Sequence, residues 1–458
     1  MESLTLLEIN EAINGELIKK GEKELFNNVS TDTRTLKPGD VFIALRGENF
    51  NGSAYIEDAY KKGASLCIVD EIVMDLEELN KLECAVIKVH SGREALKDLA
   101  TYYRKKLNIK VIGITGSTGK TSTKDLTAAA LSKKFKVFKT KGNFNNDIGL
   151  PLMLLSIDNS YDIAVLEMGM SNLNEIHTLA SIAKPDIALI TNIGVSHLEN
   201  LKTRENILKA KMEITDFFKE DNILIVNADN DYLEALSHDK KYKLIKIGLN
   251  AIKNELKYEI SDIINSKEGI KFKIHDNNTK ESEIINISTP GLHNILNGQL
   301  GICAARELGL TFDEIKEGLK NINNTSMRLE LVEKNHIKII NDSYNASPDS
   351  MKAAIDYMGV LKGKRNIAIL GTMKELGEDS YELHKEIGAY AKKNGVQMLL
   401  VVGEFNSAYE EGFGCEINKF HDNEELGRFY NNIKNDGDVV LVKASRSMKF
   451  ENIVTMIE

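Results

Sequence analysis

The sequence predicts an α/β fold with parallel sheets in more than one domain. Three observations lead to this prediction. From residue 110 onward, short apolar runs such as VIGITG and DIALITNIG are each followed by a helical stretch, as buried parallel strands covered by helices would be. One of these runs leads directly into a glycine-rich loop and then a helix. The chain has 458 residues, 42% of them hydrophobic, which is too long for one core and apolar enough for several.

Composition narrows the class of protein. The net charge of -9 is spread along the chain, which argues against a nucleic-acid-binding protein with a broad basic face. The four cysteines (Cys67, Cys84, Cys303 and Cys415) are far apart and form no C-x-x-C, so neither a disulfide framework nor a thiolate zinc site is expected. No basic segment followed by an apolar stretch begins the sequence, and no apolar run reaches about 18 residues. We therefore expect a cytoplasmic protein that does not insert into membranes.

Residues 1–106 predict a small α/β unit. Short strands such as DVFIAL and ASLCIVD alternate with helices, and the unit ends in the charged helix GREALKDLATYYRKKL.

Residues 107–323 predict a central unit built on a parallel sheet. Its strands are read from VIGITG, KVFKT, DIAVLEMG, DIALITNIG and NILIVNAD. Between about 255 and 289, apolar and polar residues alternate around HDNN, which indicates an antiparallel hairpin inserted in the unit or at its edge. A helix-rich stretch over 292–319 closes the unit, and NINNTS is the candidate linker.

Residues 324–458 predict a third unit, because the alternation of strand and helix starts again. IKIINDSYN, RNIAILG, MLLVVG and DVVLVKAS indicate the strands of a second, smaller parallel sheet, and SPDSMKAAIDYMGVL indicates one of its helices.

The loop after the first central strand is typical of a phosphate-binding site. Its two glycines are two residues closer together than those of G-x-x-x-x-G-K-[ST], because Ile114 stands where the first glycine would be and Gly116 takes its place. The order of strand, glycines, Lys120 and helix nevertheless favours nucleotide binding over a plain glycine turn, since backbone N–H groups and the helix N-terminus would face the phosphates. The candidate residues of the loop are Gly116, Ser117, Thr118, Gly119, Lys120, Thr121 and Ser122.

Two polar side chains follow neighbouring predicted strands. Glu167 ends DIAVLE, and His197 follows DIALITNIG. Either one alone is explained as a strand-end residue bonded to backbone, but together beside a phosphate loop they favour a magnesium site. Lys211 lies on an amphipathic helix, where pattern alone indicates a solvated lysine.

Segments along the whole chain resemble the Mur ligase family, in the family's order. They are GSTGKTSTK, GNFNNDIGLP, EMG, NIGVSHLEN, KAKMEI, GLHNILN, MRLE, DSYNASPDSM, ELGEDSYELH and LVKASRSMKFE. GNFNNDIGLP and DSYNASPDSM are most similar to members that add a dipeptide rather than a single amino acid. The shortened loop is then the family's own form of the phosphate cradle.

The resemblance implies three domains: one for the UDP end of a precursor, a central ATPase with a phosphate loop, and a Rossmann-like closing domain. It implies that ATP activates the carboxylate of UDP-MurNAc-tripeptide as an acyl phosphate, which the amine of D-Ala-D-Ala attacks. It further implies ATP and two Mg²⁺ ions as cofactors and small molecules as partners. We expect a monomer, although the sequence itself is silent on oligomeric state.

The resemblance also implies roles for individual residues. Lys120 and the loop amides hold the phosphates, Thr121 and Glu167 bind one Mg²⁺, and His197 binds the second together with a carbamylated Lys211. Lys120, Lys211 and His197 are thereby the candidate catalytic residues. Asn294 and Asn297 match adenine contacts, whereas Arg328 and Asp342 match residues that reach ATP from the closing domain. Closure would then exclude water from the acyl phosphate.

The implied substrate contacts are distributed over all three units. They are Thr33, Arg34, Asn145, Asn146, Asn345, Ser347, Lys443, Ser445 and Arg446. Turn-forming asparagines and surface charges are the alternative explanation of each. Departures from the family pattern leave open the geometry at the UDP and dipeptide ends, and they are Asn51, Ser53, Asn174, Thr372 and Ala444.

Two other functions compete with this one. A related ligase could form a different amide, such as a glutamate chain on folate, although the TDTR and DSYNASPDSM segments argue against it. A noncatalytic nucleotide-binding switch is the other, although it has no need of the closing domain's arginine. The sequence leaves the third residue of the tripeptide open between lysine and diaminopimelate.

Overall fold

A computed structural model of the chain describes residues 1–237, 241–250, 255–322 and 325–457. The unit boundary predicted between residues 323 and 324 lies outside the described residues, as does residue 458.

The first unit is a mixed sheet with helices on its faces. Its main sheet has the order β2-β9-β8-β5-β4, with β2 antiparallel and the others parallel. The strands of the whole first unit are β1 (Leu4–Thr5), β2 (Glu16–Lys19), β3 (Leu25–Phe26), β4 (Val29–Ser30), β5 (Val41–Ile43), β6 (Arg46–Gly47), β7 (Phe50–Asn51), β8 (Leu66–Val69) and β9 (Ala85–Lys88). Its helices are α1 (Leu6–Ala12), α2 (Ile56–Lys61), α3 (Leu76–Lys81) and α4 (Gly92–Lys106).

The central unit is built on a parallel sheet with the order β11-β12-β10-β13-β14-β15. These strands are β10 (Lys110–Thr115), β11 (Val137–Lys139), β12 (Ile163–Glu167), β13 (Ile187–Ile190), β14 (Ile223–Asn227) and β15 (Lys243–Ile247). Residues of β10, β12 and β13 are almost all buried, which explains their continuous apolar runs.

Helices cover both faces of this sheet. They are α5 (Lys120–Leu131), α6 (Gly149–Leu154), α7 (Glu175–Ala183), α8 (Leu198–Leu201), α9 (Arg204–Met212), α10 (Asp231–Glu234), α11 (His293–Glu307) and α12 (Phe312–Leu319). The predicted hairpin is a separate antiparallel sheet of β16 (Tyr258–Ser266), β17 (Gly269–Asp276) and β18 (Ser282–Ile287), with HDNN at the turn into β18. Its apolar side chains join α5, α11 and α12 in one core cluster.

The order of the central strands reverses beside β10. The chain first builds β11 and β12 on one side of β10 and then β13 to β15 on the other. In open α/β sheets, ligands bind beyond the carboxyl ends of the strands at such a reversal. The segments that follow β10, β12 and β13 are therefore brought to one edge of the sheet.

The third unit has its own sheet, with the order β19-β20-β24-β21-β22-β23, in which β19 alone is antiparallel. The strands are β19 (Glu330–Lys334), β20 (Ile337–Asn341), β21 (Arg365–Gly371), β22 (Met398–Val402), β23 (Asn418–Phe420) and β24 (Asp438–Lys443). Its helices are α13 (Pro348–Val360), α14 (Ser380–Lys393), α15 (Asn406–Phe413), α16 (Asn423–Ile433) and α17 (Glu451–Met456).

The third sheet is parallel apart from β19, but the prediction that it is smaller than the central sheet was wrong. Among the described residues this sheet has six strands, as many as the central sheet. β19 and β23 were missed because they are short edge strands with polar residues, which lack the apolar run of a central strand.

In the described part of the chain, we find no helix with the length and apolarity needed to span a membrane.

Candidate active site

The phosphate loop connects β10 to α5 through two glycines with positive φ angles. Gly116 has φ 149° and Gly119 has φ 81°. A Cβ atom at Gly116 would lie 1.8 Å from Oγ1 of Thr191, and one at Gly119 would lie 2.8 Å from Oδ1 of Asn297. Both positions therefore need glycine for conformation and for space.

Asn192, which follows β13, holds this loop in place. Its carbonyl oxygen accepts from the backbone N–H of Ser117 at 3.1 Å, and its Oδ1 accepts from the N–H of Thr118 at 2.9 Å. Its Nδ2 also donates to Oγ1 of Thr118 at 2.9 Å. The sequence analysis missed Asn192, although it occupies the same strand-end position that drew attention to His197.

Lys120 lies at the start of α5 with its side chain over the loop. Its Nζ donates to the carbonyl oxygen of Gly116 at 2.6 Å. Burial lowers the pKa of Lys120 to about 8, whereas the nearby Glu167 acts in the opposite direction. An anion placed over the loop would restore a fully charged ammonium, because a negative neighbour favours the charged form.

Glu167 ends β12 and is buried beside the first turn of α5. The hydroxyl of Thr121 donates to its Oε2 at 3.3 Å. Its Oε1 is buried and accepts no hydrogen bond from the described residues, although Nζ of Lys124 lies 3.3 Å away. A buried carboxylate oxygen without a hydrogen bond has capacity for a further ligand.

His197 has a positive φ of 65° and lies in the turn before α8. Its Nδ1 is 2.5 Å from Oε2 of Glu375, which belongs to the third unit. Nδ1 is buried at this contact. The histidine lowers the pKa of Glu375 below its usual value.

Lys211 on α9 is buried, so the solvated environment that its helical pattern alone indicates is not the one it has. It is only 1% exposed, and no carboxylate among the described residues raises its pKa. Burial, together with the charge of Lys120, holds the pKa of Lys211 well below the usual value for lysine. Burial thus favours the uncharged form of this amine more than in an exposed lysine.

Asn294 and Asn297 lie in the first turns of α11 and are buried. Nδ2 of Asn294 donates to the carbonyl oxygen of Pro290 at 2.7 Å, and Nδ2 of Asn297 donates to Oδ1 of Asn294 at 3.0 Å. Thr123 of α5 donates to Oδ1 of Asn297 at 3.2 Å. The two carboxamides are thus held in fixed orientations next to the phosphate loop.

The third unit contributes charged side chains opposite this loop. The Cζ of Arg328 lies 4.3 Å from the centroid of the Tyr344 ring, and its Nε is buried without a hydrogen-bond partner among the described residues. Lys443 is paired with Asp342 and donates to the carbonyl oxygen of Asn345 at 2.8 Å. Burial lowers the pKa of Lys443.

Asn146 and Ser347 both shape helix N-termini at the site. Oδ1 of Asn146 accepts from the backbone N–H of Gly149 at 2.8 Å, where α6 begins. Ser347 precedes Pro348, the first residue of α13, and its backbone N–H donates to Oγ of Ser350 at 2.9 Å. These structural roles agree with the alternative explanation of both as turn residues, but both residues also line the cavity.

A cavity of about 510 Å³ lies between the central and third units. Most candidate residues line it: Ser117, Thr118, Gly119, Lys120, Thr121, Ser122, Asn145, Asn146, Glu167, His197, Asn294, Asn297, Arg328, Asp342, Asn345, Ser347 and Lys443. Residues missed by the sequence analysis also line it, among them Asn192, His293, Tyr344 and Asp349.

The remaining candidates do not line the cavity: Thr33, Arg34, Gly116, Lys211, Ser445 and Arg446. Gly116 belongs to the phosphate loop and packs against Thr191, and Lys211 is buried near Lys120. Arg34 is 83% exposed and pairs with Asp32 at 2.7 Å. Ser445 is buried and accepts from the backbone N–H of Lys374 at 2.9 Å.

The described residues contain no group of three or more histidine, cysteine, aspartate or glutamate side chains that could hold a metal ion alone. Mg²⁺ in phosphate-transfer sites is held by one or two protein ligands together with substrate phosphates. Thr121 and Glu167, with a buried unbonded oxygen beside the phosphate loop, fit that kind of site.

Three family models match the chain. They describe the Mur ligase family catalytic domain (residues 25–104), the Mur ligase middle domain (114–305) and the Mur ligase glutamate ligase domain (327–446).

Among the similar proteins is UDP-N-acetylmuramoyl-tripeptide--D-alanyl-D-alanine ligase of Bacillus subtilis (strain 168), 38% identical over 98% of this chain and 97% of the relative. The ligase of the same name from Escherichia coli (strain K12) is 33% identical over 100% of this chain and 99% of the relative.

Solved structures agree with this similarity. MurF from Acinetobacter baumannii superposes with a TM-score of 0.90 at 28% identity, covering 100% of this chain and 99% of that one. MurF ligase from Thermotoga maritima in complex with ADP superposes with a TM-score of 0.82 at 29% identity, covering 94% and 97%. The α/β fold with the three-domain architecture predicted from the sequence is thereby confirmed. Since relatives above 30% identity cover nearly its whole length, this chain belongs to the Mur ligase family.

Proposed function

We propose that the chain joins D-Ala-D-Ala to UDP-MurNAc-tripeptide with the conversion of ATP to ADP and phosphate, as a step of peptidoglycan precursor synthesis. The main support is the cavity in which the phosphate loop of the central unit faces Arg328, Asp342 and Lys443 of the third. The names of the full-length relatives support the choice of substrates.

The reaction needs activation of a carboxylate, whose negative charge repels an incoming amine. A carboxylate oxygen of the tripeptide attacks the terminal phosphorus of ATP, forming an acyl phosphate and releasing ADP. The amine of the dipeptide then attacks the acyl carbon, phosphate leaves, and the ammonium proton is lost as the amide forms. Such steps depend on positioning and charge stabilisation more than on covalent help from the protein.

The loop residues and Lys120 would bind the phosphates, because backbone N–H groups, the N-terminus of α5 and a nearby ammonium all favour anions. Asn294 and Asn297, fixed by their mutual hydrogen bond, would bind adenine. Arg328 has an Nε without a hydrogen bond among the described residues and lies over the Tyr344 ring. Together with Asp342, it would contact ATP from the third unit.

Thr121 and Glu167 would hold one Mg²⁺, and His197 with Lys211 would hold a second. Bound Mg²⁺ neutralises phosphate charge during the transfer. The lowered pKa of Lys211 supports its carbamylation, because CO₂ reacts with the uncharged amine. The resulting carbamate is an anion, which suits a metal ligand as an ammonium does not.

The remaining candidate residues would bind the UDP end and the peptide end of the precursor and the dipeptide. Those that line the cavity (Asn145, Asn146, Asn345, Ser347 and Lys443) would receive the peptide carboxylate and the dipeptide. Thr33 and Arg34 would face the UDP end from the first unit, and Ser445 and Arg446 would contact the dipeptide after a local rearrangement. Arginine suits a diphosphate, because its fork binds two oxygens.

Residues 1–106 would bind the UDP precursor, residues 107–323 would bind ATP, and residues 324–458 would close over both. We expect a monomer that works in the cytoplasm on small molecules, without nucleic acid or membrane partners.

The decisive test is phosphate release by the purified protein with ATP and Mg²⁺. Release is expected only when UDP-MurNAc-tripeptide and D-Ala-D-Ala are both present. Parallel reactions with the lysine and diaminopimelate tripeptides would identify the third residue. Release with folate and glutamate, or with no acceptor, would contradict the proposal.

A further inference from the structure

Lys124 is a buried lysine for which the proposed reaction has no role. It lies on α5 one helical turn after Lys120 and is 3% exposed. Its Nζ is 3.3 Å from Oε1 of Glu167 and 3.6 Å from Oδ1 of Asp125. Buried lysines are rare unless they are paired, so this ammonium is balanced by these two carboxylates.

Asp125 is already occupied by closer partners. Nζ of Lys139 lies 2.6 Å from its Oδ1, and the hydroxyl of Thr325 donates to its Oδ2 at 2.7 Å. Because Asp125 has these partners and Glu167 is also the nearer carboxylate, we take Glu167 as the main partner of Lys124. One oxygen of Glu167 faces the hydroxyl of Thr121 and the other faces the ammonium of Lys124.

We propose that Lys124 weakens the binding of free divalent cations to Glu167, so that the metal binds together with the nucleotide. This inference rests on the proposed function, because it takes Glu167 as a metal ligand. A dication on Glu167 would lie within a few ångströms of a buried ammonium, where repulsion is poorly screened. The triphosphate adds the negative charge that overcomes this repulsion. Lys124 is thus a positioning residue that acts through Glu167 and touches none of the three substrates.

The test measures Mn²⁺ binding to the full-length protein through the electron paramagnetic resonance signal of free Mn²⁺. Binding is measured with and without a nonhydrolysable ATP analogue, and the site is defined as the binding that Glu167→Gln removes. In the wild type, the analogue should lower the Kd for Mn²⁺ strongly. In Lys124→Gln, the Kd without the analogue should fall by about tenfold, and the effect of the analogue should shrink accordingly.

Lys139→Gln is the matched control, because it removes the same charge from Asp125 rather than from Glu167. Lys139 is 35% exposed, so its field is screened by water, and the Kd should stay within about twofold of wild type. Lys124→Met gives the same expectation as Lys124→Gln without a new polar group. A gain of affinity is not a result that misfolding produces, which separates this role from a merely structural one.

Two results would overturn the inference in distinguishable ways. If no Mn²⁺ binding with the analogue depends on Glu167, the proposed metal site fails and this inference fails with it. If that binding exists but both Lys124 variants, folded by their thermal transitions, leave the Kd without the analogue unchanged, Lys124 has no such role and the proposed function stands.

Discussion

Lys120 carries a charge that burial disfavours and that a phosphate would stabilise. Its pKa, lowered to about 8, and its hydrogen bond to Gly116 indicate a side chain held ready for an anion. We expect Lys120→Ala to reduce kcat/KM by about 10²–10³, the usual effect of removing one preorganised donor to developing charge. Phosphate release measures this loss. Lys133→Ala, at an exposed lysine just after α5, should keep full activity; wild-type rates in Lys120→Ala would contradict the assigned role.

His384 predicts a pH dependence of stability. It is fully buried, its Nε2 accepts from the backbone N–H of Met373 at 2.8 Å, and its Nδ1 contacts the carbonyl oxygen of Ser380 at 2.5 Å. Burial lowers its pKa to about 4. Since the unfolded chain binds a proton near pH 6.5, the folded state loses stability as the pH falls from about 6.5 to 4, by up to ~3 kcal/mol.

Denaturant unfolding of the full chain between pH 7.5 and 4.5 measures this effect, with His384→Gln as the reference. Glutamine offers a donor and an acceptor but does not titrate in this range. The stability difference between wild type and variant should shrink on acidification, and a difference independent of pH would contradict the shifted pKa.

At the scale of single residues, contiguous motifs were predictable and long-range contacts were not. The residues of the phosphate loop were predicted because they are contiguous in the sequence and form one recognisable motif. The burial of Lys211, the loop contacts of Asn192 and the pairing of Lys124 with Glu167 depend on which elements meet in space. Helical periodicity on α9 even indicated the opposite environment for Lys211.

At the scale of elements, the tight fit of the loop between β10 and α5 predicts the effect of replacing its first glycine. Gly116→Ala would put a Cβ atom 1.8 Å from Oγ1 of Thr191 and strain a backbone with φ 149°. Either the loop or the end of β13 must move, so we expect at least about a tenfold loss of ADP affinity by calorimetry, with the helix content unchanged by circular dichroism.

Gly414→Ala is the control for this prediction. Gly414 also has a positive φ, 73°, but no atom lies within 4 Å of its added Cβ. That variant bears the conformational cost without a collision, and its ADP affinity should equal that of the wild type. Equal affinities in both variants would show that the tight fit of the loop is unimportant for binding.

Strand prediction succeeded inside the central sheet and was incomplete at its edges, where β11 was predicted and β15 was missed. β10, β12 and β13 lie inside the central sheet and have apolar runs. β15, at the edge of that sheet, was missed because its sequence KLIKI is interrupted by lysines. Lys246 of this strand is nevertheless buried, because its ammonium donates to the carbonyl oxygen of Glu234 and to Oε2 of Glu255.

The three units contact one another through residues that belong to the candidate site or lie next to it. Arg93 of α4 forms an ion pair with Asp147, next to Asn146, with Nε 2.5 Å from Oδ2. Glu375 meets His197, and Nδ2 of Asn192 lies 3.4 Å from Oδ2 of Asp349 in α13. Their relative arrangement could not be read from the sequence, because no local pattern encodes which loops of separate sheets face each other.

Arg328 tests whether the third unit completes the ATP site. It follows the candidate linker, faces the phosphate loop across the cavity, and has a buried Nε without a hydrogen bond among the described residues. If this arginine acts on charge that develops during phosphoryl transfer, Arg328→Ala should lower kcat by about 10³ or more and change ADP affinity only a few fold, because ADP lacks the transferred phosphate. Phosphate release and calorimetry measure the two effects.

Arg428→Ala is the control, because it removes an arginine of the same unit that is 72% exposed on α16. It should leave both kcat and ADP affinity unchanged. An equal loss of ADP affinity and kcat in Arg328→Ala would instead mean that the arginine binds nucleotide in the ground state.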